Sequence, residues 1–143
     1  MDTSEKDVMM TGNKVIVRRY FEGFLNKGDP TVADNILALN VVLHGLQTIQ
    51  GLPHVKQYTA MLRNAFPDLR LTVDDEIDEG EKVVTRFTTR GTHAGAFLTF
   101  PPTGRSVMVR GVEIFRIAEG KIEEIWAFID VIGLMQQLGI LRR

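Results

Sequence analysis

The stretch SVMVRGVEIFRIAEGKIEEIWAFID, residues 106–130, contains the pattern that decides the fold. In residues 106–118, side chains alternate as they do along a half-buried β-strand. Glu119-Gly120 predicts a tight hairpin turn, and residues 121–130 then predict the last strand of an antiparallel pair.

One face of the first of these strands is almost wholly apolar. Because residues two apart in a strand share a face, we expect this face to lie against helices. Glu113 stands in the middle of it. Burial disfavours the charged form of a carboxyl group, so Glu113 is the leading candidate for a general base or acid. The odd-numbered residues of this face are Val107, Val109, Gly111, Glu113, Phe115 and Ile117.

The pattern changes on the N-terminal side of Pro67, where apolar residues recur at helical spacing. Three helices followed by a meander of strands predict an α+β domain, with the helices packed on a curved, mostly antiparallel sheet. Residues 13–143 form this single domain, and residues 1–12 are expected to be a loose tail. The predicted helices begin near Asn13, Asp29 and Pro53, and the predicted strands cover 41–44, 69–73, 82–92, 106–118 and 121–130, before a closing turn at 131–138.

Composition excludes several classes of function. The chain has 17 basic and 18 acidic residues, a net charge of −1, which argues against a nucleic-acid or anionic-membrane partner. It has no cysteine, which excludes disulfides, zinc–thiolate sites and cysteine nucleophiles. No apolar run approaches the length of a membrane span, and no signal-like segment begins the chain. We expect a soluble, cytoplasmic protein.

Two small residues, Gly111 and Ala127, fall on the inner faces of neighbouring predicted strands. An ordinary core fills such volume, because voids cost about 24 cal/mol per Å³. A pocket is therefore one interpretation, and the alternative is that a bulky helix residue such as Phe24 fills the gap. The side chains expected to line the pocket are Tyr20, Phe24, Tyr58, Phe87, Gly111, Phe115 and Ala127.

The last predicted strand is apolar on both faces, although the helices can cover only one side of the sheet. An uncovered apolar sheet face commonly packs against a partner. We expect a homodimer through this outer face, and the alternative is that Trp126 packs under the C-terminal turn or a loop. The dimer contact would centre on Val112, Ile114, Trp126 and Phe128.

His44 and Asp130 are the other candidates for proton transfer. His44 ends a short predicted strand, and Asp130 immediately precedes the closing turn, where helix capping is the alternative role. His54 and His93 fall in turn-like segments and are expected on the surface. The histidines lack the spacing of metal ligands, so no metal site is expected.

Several segments in this order resemble the SnoaL-like polyketide cyclases, a family within the nuclear-transport-factor-2-like superfamily. The resemblance covers nearly all of residues 13–141. The segments that carry it are Val17–Phe21, Asn26–Asp29, Ala65–Leu69, Arg90–Gly95, Phe100–Gly104, Ile114–Ile117, Glu119–Ile122 and Asp130–Gly139.

This resemblance implies a cone-shaped domain with an internal pocket, no metal or organic cofactor, and a dimer or higher oligomer. Characterised members resemble aldol cyclases, in which an aspartate on the last strand removes a proton next to a carbonyl. That position is Ala127 here, a supporting histidine corresponds to Glu113, and a glutamine corresponds to Gly111. The aspartate common at the end of the strand is present as Asp130.

Three functions are consistent with these residues. The first is a cofactor-independent cyclase or isomerase for a hydrophobic, carbonyl-rich, polyketide-like molecule, with Glu113 as the base and His44 or Asp130 as the proton donor. The second is a non-catalytic small-molecule-binding protein of the same fold. The third is epoxide hydrolysis, which would use Asp130 with Arg86 or Arg110 but lacks a second aspartate.

Overall fold

Residues 106–129 form the central hairpin of a six-stranded sheet. The computed structural model describes residues 12–141. Its elements are α1 (Gly12–Arg19), a π-helical segment (Tyr20–Asn26), α2 (Pro30–Ile36), β1 (Leu37–His44), β2 (Thr48–Gln50), α3 (Leu52–Ala65), β3 (Arg70–Glu79), β4 (Lys82–Thr92), β5 (Ser106–Ala118), β6 (Lys121–Ile129) and α4 (Val131–Gln137).

The sheet has the strand order β2-β1-β6-β5-β4-β3. Every pairing is antiparallel except that of β1 with β6, which is parallel. The predicted α+β class and the mostly antiparallel sheet are thus confirmed. The predicted tail over residues 1–12 lies, apart from Gly12, outside the described residues.

The sequence pattern missed parts of the edge strands. β1 begins at Leu37 rather than at residue 41, because a shift of register between Leu37 and Val42 breaks the alternation. β3 continues to Glu79 through an acidic, largely exposed stretch of low strand propensity. The residues predicted to form the closing turn form helix α4, which follows the last strand of the sheet.

The π-helical segment brings an unusually wide face of the first helix into the core. Tyr20, Phe21, Phe24 and Leu25 are all buried. Gly28 ends the helix with a φ of 70°, and its N–H donates to the carbonyl oxygen of Phe24 at 3.0 Å. This wider turn places the ring of Tyr20 over the sheet, next to the ring of Phe115 at 5.2 Å.

The inner sheet face packs against the helical layer, as the alternation in β5 predicts. Glu113 and Phe115 are buried on this face, whereas the intervening Ile114 is only half-buried. A second, smaller group of buried apolar residues lies where the end of α3, α4 and the loop before β5 meet. Within residues 12–141, no helix is both long and apolar enough to cross a membrane.

Candidate functional site

A largely apolar cavity of about 150 Å³ lies between the inner sheet face and the helices. Its walls come from α3, α4, the π-helical segment, the strands β1, β3, β4, β5 and β6, and several loop residues. Most of its lining is aliphatic or aromatic, which makes each polar group in it conspicuous. These polar residues are Tyr20, Gln47, Tyr58, Thr59, Thr89 and Glu113.

Glu113 points into this cavity with 5% of its surface exposed. Its strand neighbours are Thr85 on β4 and Ala127 on β6. Within residues 12–141 no basic side chain forms a salt bridge with it. Burial raises the pKa of Glu113 to about 8. The prediction from strand alternation is confirmed for its position, and Glu113 is neither turned outward nor neutralised by an arginine.

Two phenols line the same cavity. Burial and the charge of Glu113 raise the pKa of Tyr20 well above its ordinary value, with a smaller contribution from Tyr58. Burial and Glu113 likewise raise the pKa of Tyr58. Neither hydroxyl has a hydrogen-bond partner among the described residues. Both phenols therefore stay protonated and have a free O–H to donate to a ligand oxygen.

The structure brings together five of the predicted site residues and separates the rest. Tyr20, Tyr58, Phe87, Glu113 and Ala127 line the cavity. The other three predicted binding residues, Phe24, Gly111 and Phe115, do not line it.

Phe24 and Phe115 pack within the main core beside Tyr20 rather than at the cavity wall. No free volume adjoins Gly111 either. A Cβ atom added there would lie 2.5 Å from the carbonyl oxygen of Phe128 and 2.7 Å from Cζ of Phe87. The expectation that Phe24, Phe115 and Gly111 border the cavity is wrong, because neighbouring side chains fill that space.

His44 lies on the opposite face of the sheet. Its Nε2 is 2.6 Å from Oε2 of Glu124, and its ring stacks on Trp126 with the ring centroids 5.6 Å apart. The next residue, Gly45, does line the cavity mouth. The expectation that His44 shares a site with Glu113 is therefore wrong. Neighbouring residues of a strand point to opposite faces of the sheet, so His44 faces away from the cavity that Gly45 lines.

Asp130 caps helix α4. Its Oδ1 accepts a hydrogen bond from the N–H of Gly133 at 2.9 Å, and the residue is exposed and away from the cavity lining. Arg86 and Arg110 are also exposed, and neither lines the cavity. These three side chains thus do not converge on a water site, and the arrangement needed for epoxide hydrolysis is absent from the cavity.

His93 is fully buried, which corrects the expectation of a surface histidine. Its ring stacks on Phe66, and its Nδ1 accepts a hydrogen bond from the N–H of Thr103 at 3.2 Å. The N–H of Gly104 donates to the carbonyl oxygen of His93. His93 therefore holds both ends of the glycine- and proline-rich loop together, and that loop supplies Phe97 to the cavity wall.

Sequence reasoning missed much of the apolar wall. Phe66, which follows α3, and Leu134 on α4 line the cavity with the loop residue Phe97. Long-range packing, rather than local periodicity, brings these segments together. The only signal in the sequence is their apolar character beside turn residues.

The outer sheet face carries apolar side chains that are partly exposed. Trp126 is opposite Ile114, and Phe128 is opposite Val112, in the pairing of β5 with β6. Phe128 is 60% exposed, and the other three are half-buried. The ring of Trp126 lies against that of His44, with Nζ of Lys82 5.8 Å from its centroid.

An α+β domain in which helices close one face of a curved sheet over an apolar cavity has the nuclear-transport-factor-2-like fold. The chain matches the family described as SnoaL-like polyketide cyclase over residues 14–138. It belongs to that family. No curated protein matches the chain significantly.

Solved structures agree with this assignment. TsrD from Streptomyces laurentii is 28% identical, with 99% of each chain covered and a TM-score of 0.84. A candidate SnoaL-like polyketide cyclase from Jannaschia sp. CCS1 is 27% identical, covering 91% of this chain and 93% of that one, with a TM-score of 0.84. AclR from Streptomyces galilaeus, described as a candidate hydroxylase, is 28% identical, covering 92% and 83%, with a TM-score of 0.79. Solved structures of this fold are thus described both as a cyclase and as a hydroxylase.

Proposed function

We propose that this protein is a cofactor-independent cyclase or isomerase, in which Glu113 removes a proton next to a carbonyl group of a hydrophobic small molecule. The observation that carries the proposal is a single carboxyl group, without an ionic partner among residues 12–141, in an apolar cavity that two phenols also line. A base in such a site is poorly solvated and close to the bound ligand, as proton abstraction requires.

The proton balance is simple. The α-proton moves from carbon to a carboxylate oxygen of Glu113, and the carbonyl oxygen gains negative charge. The Tyr20 and Tyr58 hydroxyls are the donors available to stabilise that oxygen. In a cyclisation the enolate carbon then bonds to a second carbonyl carbon, whose oxygen takes the proton. In an isomerisation the proton returns to a different carbon.

The position of Glu113 supports its role as a replacement for the family's missing aspartate. Ala127, at the position that the resemblance gives to that aspartate, pairs directly with Glu113 across β5 and β6. Side chains at directly opposed positions lie about 4.5–5.5 Å apart at Cβ. A carboxyl group on either strand therefore reaches the same part of the cavity.

Exchange of α-protons tests the proposal without knowledge of the natural substrate. A simple ketone such as cyclohexanone, incubated with the protein in D₂O, should gain deuterium next to its carbonyl faster than in buffer alone, as measured by NMR. Glu113→Gln should reduce the rate to that of buffer. Glu22→Gln, which changes an exposed carboxylate of the first helix, is the matched control. Equal exchange with wild type and Glu113→Gln would refute the role of Glu113.

A non-catalytic binding protein is the second candidate, and one observation favours it. Because burial raises the pKa of Glu113 to about 8, most of the carboxyl groups are protonated at pH 7. A neutral carboxylic acid donates a hydrogen bond and is not a base. A protein that binds the ketone in saturable fashion but does not accelerate exchange, even at pH 9, would belong to this class.

The uncovered apolar residues of the outer face also support a homodimer. Val112, Ile114, Trp126 and Phe128 form a contiguous group on two paired strands. Burying an aromatic and aliphatic patch of this kind gives the contact that usually dominates association. The cavity opens on the other side of the sheet, so this dimer would leave the proposed active site accessible.

A further inference from the structure

The enclosed cavity is small compared with a multi-ring molecule. Its volume is about 150 Å³. An engineered apolar cavity of about this size in another protein binds benzene. The space beside Glu113 therefore holds one six-membered ring or a chain of similar volume. Any larger substrate must extend beyond this space.

A second, open space lies next to the cavity, and two residues line both. Gln47 and Tyr58 line both the cavity and an adjoining open groove of about 790 Å³, which runs between β2 and α3. A ligand whose ring contacts Glu113 and that extends past Tyr58 therefore enters the groove. The groove is open to solvent, so it leaves room for a further part of a ligand.

The groove differs from the cavity in chemistry. Amide side chains from Gln47, Gln50 and Gln57 line it, and none of its lining residues is acidic, lysine or arginine. Within residues 12–141, these three amide groups form no hydrogen bond with another side chain or with the backbone. Each amide offers two N–H donors and a carbonyl acceptor. The lining also contains His54, whose Nδ1 lies 2.9 Å from the carbonyl oxygen of Gln50. A surface formed mainly by neutral amide groups suits uncharged, hydrogen-bonding groups.

We infer that the substrate has two parts: a single-ring carbonyl head enclosed beside Glu113, and an uncharged arm rich in amide or hydroxyl groups that lies in the glutamine-lined groove. The inference about the head depends on the function proposed above, whereas the inference about the arm depends only on the groove. The same groove chemistry fits an amide chain and a polyol, and the binding test below distinguishes them.

Binding of phenol and its derivatives tests the inference, because a phenol resembles the enol form of a one-ring ketone. Dissociation constants are measured by calorimetry for phenol, for 4-hydroxyphenyl β-D-glucoside (a polyol arm) and for N-(2-acetamidoethyl)-3-(4-hydroxyphenyl)propanamide (an amide arm). The anion 3-(4-hydroxyphenyl)propanoate represents a charged arm. We expect one neutral arm to increase affinity over phenol by about tenfold, and the anion to bring no gain.

Two variants then test whether the gain in affinity from a neutral arm comes from contacts in the groove. The double variant Gln50→Ala/Gln57→Ala should abolish the gain from the neutral arm while phenol binds as before. Gln136→Ala, which removes an amide on α4 outside the groove, should leave both affinities unchanged.

Neutral arms that bind no better than phenol would overturn the inference. So would a gain that survives the double variant, or an absence of binding by every probe. These are equilibrium measurements without turnover, so they are independent of the deuterium-exchange result for Glu113→Gln. Failure of the groove inference and failure of the proposed catalysis are thus distinguishable.

Discussion

Glu113 lies directly opposite Ala127 in the antiparallel pairing of β5 with β6. The side chain of Ala127 is small, so the carboxyl group of Glu113 faces open cavity rather than a neighbouring side chain on that strand. The family resemblance places an aspartate where Ala127 stands. The carboxyl group of Glu113 lies one strand across from that position and lines the same cavity.

The first prediction concerns the activity of Glu113→Gln. The substitution keeps the shape and hydrogen-bonding capacity of the side chain but removes the titrating proton. Turnover should fall by about 10²- to 10⁴-fold, while ligand affinity stays close to that of wild type. In the wild type, kcat/KM should rise with pH and reach a plateau above about 8, because only the ionised form of Glu113 is a base. A rate independent of pH between 6 and 9 would contradict this.

The second prediction concerns stability and pH. The unfolded chain releases the Glu113 proton near the ordinary pKa of 4.5, whereas the folded protein keeps it up to about 8. Between these values the folded state binds more protons, so the free energy of unfolding should fall as pH rises, by at most about 1.4 kcal/mol per pH unit. Urea titrations at pH 5, 6.5 and 8 measure this slope.

Glu113→Gln should remove this contribution, so the variant should gain stability relative to the wild type as pH rises. Glu22→Gln should keep the wild-type slope. Parallel curves for wild type and Glu113→Gln across this pH range would show that Glu113 keeps its ordinary pKa in the folded protein.

The third prediction separates cavity from core. Ala127→Leu should block ligand binding with little effect on the melting temperature, because the added atoms enter existing space. Gly111→Ala is the contrasting variant, because its Cβ meets the backbone of Phe128 and the ring of Phe87. It should lower the free energy of unfolding by about 1–3 kcal/mol. Equal destabilisation by both substitutions would mean that the space beside Ala127 is unable to accept a side chain.

Local alternation was enough to predict the part of the site that lies on strands. The alternation of side chains in residues 106–118 correctly placed Glu113 on the inner face of the sheet. Helical spacing placed Tyr20 and Tyr58 in the helical layer that packs on this face. The same reasoning failed where a bulge or turn intervenes. His44 pairs with Trp126 on the outer face, and Gly45, which follows the end of β1, lines the cavity instead.

The sequence was also unable to predict which small residue lies beside empty space. Gly111 and Ala127 are both small residues on neighbouring strands, but only Ala127 adjoins the cavity. The difference is that the carbonyl oxygen of Phe128 and the ring of Phe87 occupy the space beside Gly111. Three-dimensional packing, not composition, decides between a pocket and a filled gap.

The fourth prediction concerns His93 and the loop of the cavity wall. His93→Ala removes a buried ring stacked on Phe66, together with the acceptor of the Thr103 N–H. It should lower the free energy of unfolding by about 3 kcal/mol in a urea titration. Thr103→Val keeps the backbone N–H and removes only the hydroxyl, so it should cost about 1 kcal/mol. A negligible effect of His93→Ala would mean that the loop is held in place without it.

The last prediction concerns the outer face. In a homodimer through Val112, Ile114, Trp126 and Phe128, Trp126→Glu places an unpaired charge at the centre of the contact. The variant should sediment as a monomer at concentrations where the wild type is a dimer, since burying an unpaired charge is costly. Trp126 is half-buried in the single chain, so the fold should survive, as a retained far-UV circular dichroism spectrum would show. Leu39→Glu changes an apolar residue that is 82% exposed outside this group, and it should leave the dimer intact. A wild-type chain that sediments as a monomer at high concentration would refute the dimer.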